Sequence, residues 1–102
     1  MNPEEIKHEV KKAALILDNQ AEVILFGSHA RGDNRKNSDW DFLILTKKNS
    51  DKISQEKFWQ LLYKIELNAD EVISPLIRNK NDWEQNSFLP IYQQVKKDGI
   101  RV

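Results

Sequence analysis

Hydrophobic residues at the start of the chain follow a helical spacing. They fall on one face at i, i+4, i+7, i+8 and i+11, namely Ile6, Val10, Ala13, Ala14 and Leu17. Asn2 is a favoured N-cap residue, Pro3 suits the first helical position, and Glu5 stands where a capping box places glutamate. The chain is therefore expected to open with an amphipathic helix that buries this face.

Short continuous apolar runs follow and predict strands. The runs 21–26 and 40–46 are apolar on nearly every position, and Gly27 stops the first of them. Such runs are typical of strands that are buried on both faces. The run 71–77 predicts a third strand, and Pro75 places it at an edge or a bend because proline cannot donate to a sheet ladder.

Helical spacing returns in the second half of the chain. It predicts a helix over 54–67, a short helix over 82–85 and a longer one over 87–98 that ends at Gly99. The predicted order is α-β-β-α-β-α. We expect one α+β domain over 1–102, with a small mixed sheet covered by helices.

Composition excludes several classes of protein. Sixteen basic and sixteen acidic residues cancel, so the chain has no overall positive field and nucleic acid is a disfavoured partner. Cysteine is absent, which excludes disulfides and thiolate zinc sites and is compatible with a reducing compartment. Neither a signal core nor an apolar run of membrane-spanning length occurs. We expect a soluble cytoplasmic protein with no membrane partner.

Two aspartates at the start of the second strand need an explanation. Asp39 and Asp41 are two positions apart, so on a strand their side chains point to the same side. At a separation of about 5 Å and an effective dielectric of about 20, two carboxylates repel by roughly 3 kcal/mol. A hard divalent cation such as Mg²⁺ removes this cost, because carboxylate oxygens are its usual protein ligands.

A turn that suits anions precedes the two aspartates. Ser28 follows the strand-ending Gly27 and is expected to cap a single helical turn over 29–31, which Gly32 closes in the left-handed conformation. Free N–H groups at such a turn favour phosphate, and glycine lets a ligand come close to the main chain. A phosphate at this turn and a metal on the aspartates would support each other.

The stretch GSHARGDNRKNSDWDFLIL resembles the signature of the DNA polymerase β-type nucleotidyltransferase superfamily, particularly its minimal bacterial members. Their motif reads G-S-x-A-R-G, a spacer, and S-D-x-D before apolar residues. The resemblance implies metal-dependent transfer of a nucleoside monophosphate from a nucleoside triphosphate to an acceptor hydroxyl. The expected group is AMP, and the expected donor is ATP or another NTP. It assigns Gly27, Ser28 and Arg31 to the nucleotide, and Asp39 and Asp41 to Mg²⁺ or Mn²⁺.

The resemblance also implies a third carboxylate on a later strand, which binds a second metal or acts as a base. In the third predicted strand the matching position is Glu71, with Asp70 as its neighbour. Alternation on a strand allows only one of the two to face the site. A solvated acid at the start of a strand is the alternative reading of Glu71.

Minimal members of this superfamily resemble one half of a two-protein system. Their partner is a small all-helical, HEPN-like protein, and some members are antitoxins that adenylylate a toxin. An antitoxin or binding subunit is therefore the alternative to an enzyme that acts alone. A polymerase or tRNA-modifying fragment is a third class, which the neutral charge disfavours. The sequence leaves the acceptor and the preferred base open.

Several aromatic and histidine side chains receive simpler interpretations. Trp40 lies between the aspartates in sequence, so we expect it to point to the opposite face and into the core. We also assign Tyr63 to the core, and we expect His29 to be solvated on an exposed turn. Trp59 and Trp83 could serve either the core or a partner.

Overall fold

The computed structural model describes residues 1–102 and shows one four-stranded sheet with five helices. The elements are α1 Pro3–Leu17, β1 Glu22–Phe26, α2 Ser28–Arg31, β2 Trp40–Thr46, α3 Lys52–Ala69, β3 Ile73–Asn79, α4 Lys80–Gln85, α5 Pro90–Asp98 and β4 Ile100–Arg101. The predicted α+β class is confirmed. None of the helices combines the length and the apolar character that crossing a membrane requires.

The strands lie in the order β3-β2-β1-β4. β1 pairs with β2 and with β4 in antiparallel fashion, whereas β2 and β3 are parallel. The sheet is therefore mixed, as predicted. β1 and β2 are neighbours, which brings the turn after β1 beside the start of β2.

The capping signals at the N-terminus are confirmed. The Asn2 side chain accepts the backbone N–H of Glu5 at 2.8 Å, and the Glu5 carboxylate accepts the backbone N–H of Asn2 at 3.1 Å. This reciprocal capping box satisfies two N–H groups that the helix itself leaves unpaired. All five residues of the predicted apolar face of α1 are buried.

Each face of the sheet packs against its own helices. On one face α1 and α3 cover the larger core, to which the sheet contributes Val23, Leu25, Trp40, Phe42, Ile44 and Ile73. On the other face α4 and α5 cover a smaller core with the sheet residues Phe26, Leu43 and Leu45. Asp41 belongs to the second face, because it alternates with Trp40 and Phe42 along β2.

Several predicted boundaries are wrong. The predicted strand 71–77 begins at Ile73, because α3 continues to Ala69 and Asp70 ends it in the left-handed conformation with φ +53°. Glu71 thus lies in the link before β3 and not on the strand. α5 begins at Pro90 instead of residue 87, and the two-residue β4 is too short to leave a sequence pattern.

Side chains interrupt the row of hydrogen-bonding groups along the exposed edge of β3. The outward N–H of Ile73 donates to the Glu66 carboxylate at 3.0 Å, and Pro75 has no N–H to offer. The Arg78 guanidinium donates to the Ile77 carbonyl at 2.7 Å. The edge position predicted from Pro75 is confirmed. Neighbouring side chains bind the N–H of Ile73 and the carbonyl of Ile77, which this edge would otherwise present to another strand.

Asp18 fastens the end of α1 to the end of β2. It is only 2% exposed, and its carboxylate accepts the backbone N–H groups of Gln20 at 2.9 Å, Lys47 at 2.7 Å and Lys48 at 3.1 Å. These donors favour the charged form, with Gln20 as the largest cause, and they lower the pKa of Asp18 although burial opposes them. The charged carboxylate is therefore part of the fold.

We expect Asp18→Asn to lower the free energy of unfolding by about 2 kcal/mol at pH 7, because an amide has one acceptor oxygen and turns N–H donors toward N–H donors. Since folding lowers the pKa of Asp18, its contribution is present above the unperturbed value of 3.8 and is lost as pH falls through the folded value. Urea unfolding as a function of pH measures both effects. Asp51→Asn is the control, because asparagine caps a helix as well as aspartate does.

Candidate active site

The pairing of β1 with β2 brings the first turn against the second aspartate. Phe26 is opposite Asp41 in the antiparallel register, so Gly27 follows directly beside it. Gly27 has φ +80°, and a Cβ built there would collide with Oδ2 of Asp41. Glycine is thus required for the close approach of the main chain to this carboxylate.

The turn after β1 is one turn of helix. Gly27 occupies the cap position and Ser28 is the first helical residue, so the prediction that Ser28 caps this turn is wrong. The backbone N–H groups of Gly27, Ser28 and His29 donate to no other backbone group. Gly32 ends the turn in the left-handed conformation at φ +83°, as predicted. Three main-chain donors are thus available next to Asp41.

Asp39 and Asp41 sit at the start of β2, where Asp39 is exposed and Asp41 is partly buried. The Ser74 hydroxyl donates to Oδ2 of Asp39 at 3.1 Å, and Ser74 is also the β3 residue in register with Asp41. Burial raises the pKa of Asp41, and the negative charge of Asp39 raises it further. Asp39 therefore destabilises the charged form of Asp41, as the spacing predicts.

His29 is not solvated, contrary to the expectation. Its ring stacks on Trp40 with a centroid distance of 3.8 Å, and its Nε2 lies 2.9 Å from the carbonyl oxygen of Ser38. Trp40 is buried in the core, as predicted. His29 thus ties the turn to the residue just before Asp39 and holds the two parts of the candidate site together.

Arg31 forms two ion pairs within the chain. Its Nε lies 3.1 Å from Asp33, and its Nη1 lies 3.0 Å from Asp98 at the end of α5. The Asp98 side chain is 11% exposed, whereas that of Asp33 is 63% exposed. The pair with Asp98 therefore links α2 to α5, and the pair with Asp33 is a surface contact of little strength.

Glu71 lies apart from the aspartate pair. It lines a shallow surface concavity with Asn37, Glu66, Asp70 and Val72. No three His, Cys, Asp or Glu side chains lie close enough together to hold a metal ion, so Glu71 does not complete a group with Asp39 and Asp41. Its role as a third carboxylate stays a prediction.

Sequence reasoning missed three contacts that shape the site. The contact of Ser74 with Asp39 follows from the register of β3. The strand start predicted at residue 71 does not reveal this register. Asp98 approaches Arg31 from 67 positions away in the chain, and no local pattern signals this contact. The contact between His29 and Ser38 spans nine positions and follows from the helical turn, which the sequence did indicate.

A carboxylate pair lies beside a glycine turn with free N–H groups at one end of a mixed sheet, which is the arrangement that the resemblance to nucleotidyltransferases implies. The comparisons agree. The family model described as nucleotidyltransferase domain matches residues 4–100, so the chain belongs to this family. A protein of Methanocaldococcus jannaschii, provisionally named protein adenylyltransferase, is 40% identical over 100 residues, which are 96% of each chain.

Solved structures show the same fold. A protein provisionally described as a minimal nucleotidyltransferase aligns over 100% of this chain and 97% of its own, with a TM-score of 0.60 and 19% identity. A chain from a toxin–antitoxin crystal structure with AMP-PNP aligns over 93% of this chain and 70% of its own, with a TM-score of 0.60 and 21% identity. The solved structures thus share the mixed α+β fold of this chain, and the family model confirms the predicted nucleotidyltransferase family.

We expect Gly27→Ala to lower nucleotide binding by 10²-fold or more, because the new Cβ displaces the Asp41 carboxylate. Gly32→Ala is the matched control, since Gly32 has the same positive φ but no atom within 4 Å of a built Cβ. Both variants should lose stability to backbone strain, and Gly27→Ala should lose more, because φ +80° with ψ −158° is a conformation that essentially only glycine adopts. Calorimetric titration with a metal–nucleotide complex compares them. Equal affinities in the two variants would contradict the role of Gly27.

Proposed function

We propose that this nucleotidyltransferase is metal-dependent and transfers AMP from ATP to an acceptor hydroxyl, which belongs to a partner protein. The observation that carries the proposal is the Asp39 and Asp41 pair beside the main-chain donors of Gly27 and Ser28. The 40% identical relative named as a protein adenylyltransferase supports AMP and a protein acceptor. The related fold described with AMP-PNP is compatible with ATP.

The residues at the start of β2 fit Mg²⁺ or Mn²⁺. Both side chains offer hard carboxylate oxygens, and Mg²⁺ commonly uses only one or two protein carboxylates with phosphate and water. Burial and the negative charge of Asp39 raise the pKa of Asp41, so a cation bound by the pair would relieve an electrostatic cost that the fold imposes. Asp39 and Asp41 would hold the ion, which when bound neutralises charge on the triphosphate and on the leaving pyrophosphate.

Main-chain donors would bind the triphosphate. The N–H groups of Gly27 and Ser28 are free to donate to phosphate oxygens, and the missing Cβ of Gly27 leaves room beside Asp41. Arg31 completes the proposed nucleotide site. A phosphate oxygen would replace the exposed Asp33 as its partner, while Asp98 keeps the guanidinium in place.

The proposed reaction is an in-line displacement at the α-phosphorus. The acceptor oxygen forms a bond to phosphorus, the bond to the bridging oxygen of pyrophosphate breaks, and the acceptor gives up its proton. We propose Glu71 as the third carboxylate, which would take up this proton or help to position the acceptor. Because Glu71 is on the link before β3, it would act from the rim of the site.

A binding role in a toxin–antitoxin pair is the second candidate function. The chain exposes Trp59, Tyr63 and Leu67, by 50%, 62% and 64%, in one row along α3. Rows of exposed apolar side chains often contact another protein. The partner would be a small all-helical, HEPN-like protein. Mass spectrometry of a partner that co-purifies from native cells separates the roles, because only the enzyme leaves it with the added mass of AMP.

We expect Asp39→Asn and Asp41→Asn each to lower AMP transfer by at least 10³-fold while leaving the fold intact, because each removes a charged oxygen ligand. Asp41→Asn should also unfold at a slightly higher temperature near pH 7. Folding raises the pKa of Asp41, so its charged form costs stability above that pKa and the neutral amide removes the cost. Radiolabel transfer from α-labelled ATP and thermal unfolding measure the two effects.

Excess chelator should abolish nucleotide binding by the unmodified chain in calorimetric titration. Transfer near the original rate in either aspartate variant would overturn the catalytic assignment. Unfolding of both variants would show that the aspartates are structural.

We expect Glu71→Gln to keep metal–nucleotide binding but to lower transfer by about 10²-fold, the size typical of losing an acid–base group. Asp70→Asn is the matched variant, because Asp70 lines the same concavity. If Asp70 is the third acid, the loss appears in Asp70→Asn and not in Glu71→Gln. Normal turnover in both would show that neither acid takes part.

A further inference from the structure

Ser74 stands beside both aspartates. It is in parallel register with Asp41, so the two side chains project from the same face of the sheet. Its hydroxyl donates to Oδ2 of Asp39 at 3.1 Å. A single residue of β3 is therefore next to one acid and in contact with the other.

The contact restrains a side chain that has little other support. Asp39 precedes β2 and is exposed. The hydrogen bond that its carboxylate accepts within the protein comes from the Ser74 hydroxyl. A hydrogen bond to a charged group is among the stronger ones in proteins. It engages Oδ2 and leaves Oδ1 of Asp39 available to an ion.

We propose that Ser74 is a positioning residue of the metal site: its hydroxyl orients Asp39, and its place on β3 is one from which a side chain reaches the ion. The proposal rests on the proposed function, since it takes Asp39 and Asp41 to bind the metal. It follows from the register of β3 and from the bond to Asp39.

The position has a direct consequence for the third acid. Ser74 is three positions after Glu71 and lies on the strand itself, level with Asp41. A carboxylate at position 74 would therefore join the aspartate pair without any movement of the backbone. The unmodified chain places a neutral hydroxyl there, which adds no further repulsion to the pair.

The first experiment removes the hydroxyl. We expect Ser74→Ala to weaken binding of Mn²⁺ with a non-hydrolysable ATP analogue by about tenfold, and Ser74→Thr to restore it, because threonine keeps the hydroxyl and suits a strand. Ser54→Ala is the matched control. Ser54 also lies beside a carboxylate, that of Asp51, which accepts its backbone N–H at 2.7 Å, but it is away from the site. Isothermal titration gives the affinities, and thermal unfolding reports on the fold.

The second experiment adds a charge. We expect Ser74→Asp to bind Mn²⁺ alone at least tenfold more tightly than Ser74→Asn, because only aspartate adds a third anionic oxygen ligand at nearly the same volume. The rise in unfolding temperature on adding Mn²⁺ should likewise be larger for Ser74→Asp. A merely structural role of Ser74 would give the two variants the same response.

The outcomes separate this inference from the function on which it rests. If the unmodified chain binds neither Mn²⁺ nor the nucleotide complex, the proposed function fails and the inference fails with it. If the unmodified chain binds, and Ser74→Ala matches it or Ser74→Asp matches Ser74→Asn, only the inference is overturned. Restored binding of Mn²⁺ with the nucleotide analogue in Ser74→Thr supports the inference, together with tighter binding of Mn²⁺ alone in Ser74→Asp than in Ser74→Asn.

Discussion

The antiparallel pairing of β1 with β2 is the constraint on which the site depends. Its register puts Phe26 opposite Asp41, so the chain that leaves β1 has to pass the carboxylate at close range. Only a residue without a Cβ can do so, and Gly27 supplies it. A slip of one residue would turn Asp41 toward α1 and α3, among apolar side chains, where a lone charge is very costly. The apolar core therefore fixes the chemistry of the site as well as the fold.

Structural features that depend only on neighbouring residues are predicted correctly from the sequence. The capping box at Asn2 and Glu5, the apolar run of β2 and the left-handed Gly32 depend on residues within a few positions of one another. The start of β3 does not. α3 ends at Asp70, which adopts a left-handed conformation without being glycine. Aspartate tolerates this conformation but does not predict it in the way that glycine does. The apolar pattern therefore predicts a strand that starts at Glu71, two residues before the observed start at Ile73.

The sequence does not predict long-range contacts or partial burial, because both depend on which elements pack together in the fold. The bond from Ser74 to Asp39 joins residues 35 positions apart and exists only because β2 and β3 are parallel neighbours. The helical spacing assigns Tyr63 to the core, but this residue is 62% exposed. Tyr63 follows Leu62 in the sequence, so it points about 100° around the helix from the buried row of Phe58, Leu62 and Ile65.

The edge of β3 determines how other proteins can approach this one. An exposed edge strand normally invites a foreign strand, which extends the sheet through main-chain hydrogen bonds that are nearly independent of sequence. Here Glu66 accepts the outward N–H of Ile73, Pro75 has no N–H, and Arg78 donates to the carbonyl of Ile77. A foreign strand would therefore meet an interrupted row of main-chain partners along β3, so association at this side favours contacts through side chains.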